Sequence, residues 1–209
     1  WDIVFIIEPL LYVALLGGLL LPSLFGLIHE EIGVRRRGSR GVLGARLALA
    51  AVLLLYGVRD YQHRRAVAAM EALTYLNQEP IRVSAYPYYL NPFRWYGVVE
   101  TESAFLRMQV DSLTPEVDPQ GHVQVRYKPE ETPVTLAAKE SYLGRVYLDW
   151  AQYPVTEVEQ RQPPAAGYEV RFRDLRFAYP EQRRPVLGAA VVLDAELNVV
   201  AERFGRREQ

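Results

Sequence analysis

The sequence has no cysteine, which excludes disulfides and thiolate metal sites and leaves the redox compartment unmarked. Histidine is nearly as scarce. Only His29, His63 and His122 occur in 209 residues, too few for a histidine-rich metal site built from this chain alone. Neither sign of charge is in surplus: the net charge is −1, which gives no electrostatic case for nucleic acid. No nucleophile elbow, phosphate loop, dinucleotide-binding glycine pattern or zinc-finger spacing occurs. Repeats are absent, and the polar end Gly205–Gln209 is the only biased tail. A signal peptide fits poorly, because no basic segment precedes the first apolar run and no small-x-small site closes it. The start at Trp1, inside an apolar pattern, reads as a fragment or a processed chain.

The charge that is present is unevenly placed. Residues 3–28 contain one charged residue, Glu8, and residues 47–58 contain none. The first run is long enough for a membrane helix, which needs ~20 apolar residues. Pro9 and Pro22 are tolerable there, and Gly17-Gly18 permits close approach by a neighbouring helix. A second span is expected at about residues 42–58, where Arg46 can snorkel to the interface. Arg35, Arg36, Arg37 and Arg40 lie between the spans, so the positive-inside rule places that turn in the cytoplasm. The region after the second span would then lie outside, although Arg59, Arg64 and Arg65 weigh the other way. The competing reading is a buried hydrophobic hairpin of a soluble protein.

Ala66, Ala69, Met70, Leu73 and Leu76 recur at helical spacing, so the second helix is expected to continue to about Asn77 before Pro80 stops it. From Ile81 the period changes to two. Strands are expected on either side of Asn91-Pro92, then at 103–113, 122–128, 153–160, 167–177, 187–194 and 197–204. Residues 134–150 return to helical spacing, with Leu136, Tyr142 or Leu143, Val146, Tyr147 and Trp150 as the apolar face. Trp95 and Tyr96 point to opposite faces of their strand, so at most one is expected in the core. The fold class is a membrane α-helical hairpin followed by a soluble α+β domain with a mainly antiparallel sheet and one helix. The domains divide as 1–79 and 80–209.

Candidate chemistry is sparse. Glu8 is an ionisable group at or inside an apolar span, which makes it a functional candidate by default. His29 beside Glu30 and Glu31 is a candidate metal ligand, but the i, i+4 histidine partner of a zincin helix is missing. Tyr61–Arg65 can attract anionic headgroups or act as a plain anchor. His122, in a turn-rich loop, is expected in solvent. Arg171, Arg173, Asp174 and Arg176 alternate on one strand; the arginines are candidates for an anionic ligand, against the alternative of cross-strand ion pairs.

Several segments carry a resemblance. Asn91-Pro92-Phe93-Arg94-Trp95-Tyr96-Gly97-Val98-Val99-Glu100 resembles an Asn-Pro-x-x-Trp-x-Gly-Val-Val-Glu run in the YdjM/YbcI-like inner-membrane proteins, identified as metal-dependent hydrolases. Trp1-Asp2 through Pro9-Leu10, Leu148–Trp150 with Tyr153-Pro154, and Asp174–Phe177 resemble further segments of that family in order. The resemblance implies a multi-pass protein of the bacterial inner membrane. Its partners would be membrane lipids and upstream transmembrane helices of a longer protein, with no nucleic acid. It also implies a divalent metal, zinc first, in that longer protein. The family's ligands lie in a Gly-His-Arg-Gly-x-Thr-His-Ser run and a later His/Asp-containing helix, and neither run exists in this sequence. No metal ligand transfers to a residue here. The family's Asp before the proline is Glu8, a longer carboxylate. The expected function is therefore the C-terminal part of a membrane-bound metal-dependent hydrolase, this chain alone being inactive. The alternative is a membrane-tethered binding module without catalysis.

Overall fold

A computed structural model describes residues 9–18, 20, 40–88, 91–162, 166–177 and 187–205. The chain divides into two compact units: Trp1–Thr101 with Leu106–Gln124, and Glu102–Phe105 with Val125–Gln209. The first sheet thus groups with the apolar helix before it, a division drawn differently from the sequence-based one at residue 80.

The first unit is organised by one long helix. Helix α1, Pro9–Gly18, is short and apolar. Helix α2, Arg40–Glu71, runs for 32 residues without a proline and is rich in leucine and alanine. Its Val42–Glu71 portion is long and apolar enough to cross a membrane. The two helices meet through small residues. A Cβ on Gly18 would stand 2.4 Å from Ala48 Cβ and 2.9 Å from the Gly44 carbonyl oxygen, so only glycine fits this contact. Around it Leu43, Leu47, Leu53 and Leu54 are exposed.

Helix α2 ends at Glu71, earlier than the spacing of Leu73 and Leu76 suggests. Tyr75 and Gln78 exchange backbone hydrogen bonds of 2.9 Å, and the Tyr75 hydroxyl donates to the Met70 carbonyl at 2.9 Å. Leu76 and Asn77 take left-handed backbone angles inside that tight turn. The turn forms before Pro80 is reached.

Strands β1 (Arg82–Pro87), β2 (Arg94–Glu100), β3 (Ala104–Asp111) and β4 (Glu116–Val117) follow in that order across the first sheet, and β5 (Gln124–Tyr127) also pairs with β3. Pro87 closes an edge strand, where a missing N–H costs least. The Asn91 side chain accepts from the Phe93 N–H at 2.9 Å and turns the chain between β1 and β2. Helix α2 packs on this sheet so closely that a Cβ on Gly97 would reach within 2.4 Å of Met70 Sδ. Trp95 and Tyr96 are both buried, contrary to the expectation that at most one would be. The two side chains do point apart, but both faces of β2 are covered.

The second unit holds helices α3 (Pro133–Glu140) and α4 (Tyr142–Trp150) and a meander of β6 (Pro154–Arg161), β7 (Gly167–Asp174), β8 (Gly188–Leu193) and β9 (Val199–Phe204). All its pairings are antiparallel. The core gathers Ala138, Tyr147, Val170, Phe172, Ala189, Val191 and Leu193 between the helices and one sheet face. The expected single helix over 134–150 is two. Ser141 has extended backbone, ends α3 and caps α4 by accepting from the Gly144 N–H at 3.0 Å. Thr132 starts α3 with a capping box ahead of Pro133. The corner needs glycine, because a Cβ on Gly144 would lie 2.1 Å from the Ala138 oxygen. Thus a long apolar helix and antiparallel α+β character are present as expected, but with two sheets and four helices among the described residues.

Candidate functional site

The two N-terminal candidates, Glu8 and His29, lie outside the described residues. The C-terminal candidates separate into two groups. Strand pairing sets Glu157 opposite Arg171 and Val155 opposite Arg173, on the sheet face away from the core residues Val170 and Phe172. On that face Arg171 pairs with Glu159 at 2.7 Å and with Glu169 at 2.9 Å. Arg173 pairs with Glu157 at 2.9 Å, and Arg126 of β5 reaches the same carboxylate at 2.7 Å. The hydrogen bond that Arg171 donates to Glu169, with the nearby carboxylates, holds the Arg171 pKa above its ordinary value. The arginines therefore stand in a ladder of alternating sign, and the carboxylates occupy the positions that an anion would take.

Arg176 belongs elsewhere. It follows β7 in a short 3-10 turn, Leu175–Phe177. Its Nε donates to Asp174 Oδ2 at 2.7 Å, and its backbone N–H donates to Oδ1 at 2.9 Å. The Gln152 N–H donates to the same carboxylate at 2.8 Å, so buried Asp174 accepts three hydrogen bonds. Arg176 also donates to the Trp150 carbonyl at 3.1 Å. Its guanidinium lies 4.8 Å from the Trp150 ring centre and 5.1 Å from that of Phe177, while the two rings stack 5.5 Å apart. The two sequence segments Leu148–Pro154 and Asp174–Phe177 thus meet and clip the end of α4 to the end of β7. Tyr147 sits beneath the clip; its hydroxyl donates to the Leu187 carbonyl at 3.2 Å. Burial, with the Asp174 charge adding, pushes its pKa up to about 12.

In the first unit, α2 turns an unexpected set of residues inward where its apolar run ends. Arg59 is fully buried, with its guanidinium carbon 5.9 Å from the Trp95 ring centre. Gln62 is buried beside it, and His63 meets the Trp95 ring edge-on at 5.3 Å. Trp95 Nε1 donates to Ser112 Oγ at 3.2 Å, and that hydroxyl donates to the Phe93 carbonyl at 2.9 Å. Tyr61 and Arg64 face outward, Arg64 pairing with Asp60 at 2.7 Å. Sequence reasoning missed this cluster by treating Arg59 as a basic flank. The signal was available: Gly44, Ala48, Val52, Leu55, Arg59, Gln62, Ala66 and Met70 form one stripe at three- and four-residue steps.

His122 is exposed, and its backbone N–H donates to the Asp118 carboxylate at 2.8 Å. Among the described residues no group of three or more His, Asp and Glu side chains is arranged to hold a metal ion. The metal implied by the sequence resemblance therefore finds no donor set there. The clusters seen order structure through hydrogen bonds and ring packing.

Two helices laid on one face of a four-stranded antiparallel sheet define the second unit as an α/β sandwich. Residues 133–209, fewer than half of the chain, match the family model described as the YfhP C-terminal alpha/beta plait domain. No curated protein and no solved structure matches the chain.

Proposed function

We propose that this chain is the membrane-anchored, non-catalytic portion of a metal-dependent hydrolase of the bacterial inner membrane. One observation carries the anchoring: α2 runs unbroken from a stretch with exposed Leu43, Leu47, Leu53 and Leu54 into a stretch packed on the first sheet. The Val42–Glu71 portion is long and apolar enough to cross a membrane, and leucines left exposed along it suit lipid better than water. The hydrolase part rests on the sequence resemblance, which puts the metal ligands and further transmembrane helices upstream. The second unit's similarity to a domain described as C-terminal agrees with an order of membrane helices first and sandwich last. On this reading the two spans form a hairpin with a cytoplasmic turn, and the region after the second span, residues 80–209 with Gln120, lies outside the cytoplasm.

Membrane fractions washed with high salt should retain the chain, and detergent should release it; release by salt alone would sink the anchoring. The protein has no native cysteine, so Gln120→Cys gives a single thiol at an exposed site. An impermeant thiol reagent should label it in intact cells, whereas labelling only after lysis would reverse the sidedness. The hydrolase part is tested by metal content and esterase or phosphodiesterase turnover in detergent, for this chain and for the product of its complete gene. Turnover by the longer product alone supports it. Metal binding by neither leaves a tethered binding module as the better account.

A further inference from the structure

Helix α4 has apolar residues on two faces. Leu143 and Tyr147 face the core, as the sequence leads one to expect. Tyr142, Val146 and Trp150 do not. They recur every fourth residue along the outer face, and they are 73%, 50% and 43% exposed. Leu136 of α3 is exposed as well. We propose that this stripe is an interfacial contact with the phospholipid surface of the membrane that anchors the chain. The inference rests on the anchored reading above.

Three observations select lipid over another occupant. The stripe begins with tyrosine and ends with tryptophan, whose amphipathic rings favour the headgroup boundary. Nearby charges come close to cancelling, with one carboxylate in excess. Lys139 is paired with Glu131 at 2.6 Å and Arg176 with Asp174 at 2.7 Å, which leaves Arg145 among Glu140 and Asp149. A strongly acidic or basic macromolecule finds no complementary field there. The area is also too small for a stable dimer. The three exposed side chains offer roughly 350 Å², under half of the ~800 Å² per partner in a standard interface. A tethered surface faces no such threshold, because an anchor in the same chain raises the local concentration of the membrane to about millimolar or more.

Because the chain has no cysteine, single substitutions place one fluorophore at a chosen site of the intact 209-residue chain. Three sites suffice in phosphatidylcholine vesicles: Val146→Cys on the stripe, Leu53→Cys on the exposed flank of α2, and Glu196→Cys in an exposed turn. Nitroxide-bearing lipid should quench the labels at 53 and 146 several-fold more than the label at 196. Iodide should show the reverse order. Quenching at 146 should survive a rise in salt from about 0.1 to 1 M, since it does not depend on charge. Adding Tyr142→Asp should bring 146 to the level of 196. That change leaves the helix intact, because an acidic residue is favourable in a first turn. Lipid quenching at 53 but not at 146 overturns the stripe and leaves the anchor standing. No lipid quenching at 53 overturns the anchored reading itself. Protection of 146 from iodide without lipid quenching means a protein occupant, and it overturns the proposal too.

Discussion

The two sheets of this protein solve the same problem in opposite ways. In the first, β2 is buried from Trp95 through Val99, on both faces. In the second, β7 sets Val170 and Phe172 against the helices and Arg171 and Arg173 on the other side, among carboxylates. A sheet covered on both faces needs an unbroken apolar strand. A sheet packed on helices through one face alternates along β7, and its other face is held in part by pairs of opposite charge. The difference assigns the work of stability. Packing should dominate the first unit, and a few buried polar contacts plus the core beneath the helices should dominate the second.

That contrast can be broken at its strongest points first. Trp95→Ala should cost about 3–5 kcal/mol, because it empties a fully buried site and leaves Ser112 without its indole donor. Thermal melting in detergent checks this, and a shift no larger than that of an exposed control would refute packing dominance in the first sheet. Asp174→Ala should cost a similar ~3–5 kcal/mol in the second unit, since it strips three donors of their acceptor and breaks a buried ion pair. Gly144→Ala should follow at about 1–3 kcal/mol, since the added methyl meets backbone at the corner between α3 and α4. Arg173→Gln, in the half-exposed ladder, should cost only ~0.2–1 kcal/mol and less in high salt. Full loss of fold in that variant would show that the ladder supports the sheet far more than surface pairs usually do.

Alkaline titration sharpens the same comparison with no mutation at all. Burial pushes both Tyr75 in the first unit and Tyr147 in the second up to about 12. Their folded-state values lie above the unfolded value of 10.0, so stability is complete below that pH and falls as pH rises toward 12. Phenolate absorbance should therefore show an early, exposed set of tyrosines and a late set that appears with unfolding. Asp194 works at the other end of the scale. Hydrogen bonds from Asn198 hold its pKa below the usual value, so the hairpin turn between β8 and β9 should loosen as the medium becomes strongly acidic.

How much of this could be read in advance depended on how local each cause is. The turn at Asp194–Asn198 was legible, because the aspartate carboxylate accepts from a backbone N–H only four residues away. The strand periods from Arg82 to Phe204 were legible for the same reason: alternation is written in adjacent residues. The two-residue β4 was not, because so short a strand exists only through its pairing with Val110 and Asp111. The break at Ser141 was hidden because the apolar spacing continues across it. The candidate cluster Arg171, Arg173, Arg176 was legible as a charged strand. Its division was not, since Arg176 leaves the strand in a 3-10 turn and Trp150 and Asp174 claim it.

The sequence alone determined that the N-terminal region holds apolar runs suited to lipid, that a two-residue period begins at Ile81, and where the chain turns. Each of these is set by neighbours within a few residues. Only the tertiary structure decided that Arg59 is buried over Trp95, that both faces of β2 are covered, and that the apolar stripe Tyr142, Val146 and Trp150 faces outward. Periodicity states which side chains share a face; what lies against that face depends on contacts made by residues far away in the chain.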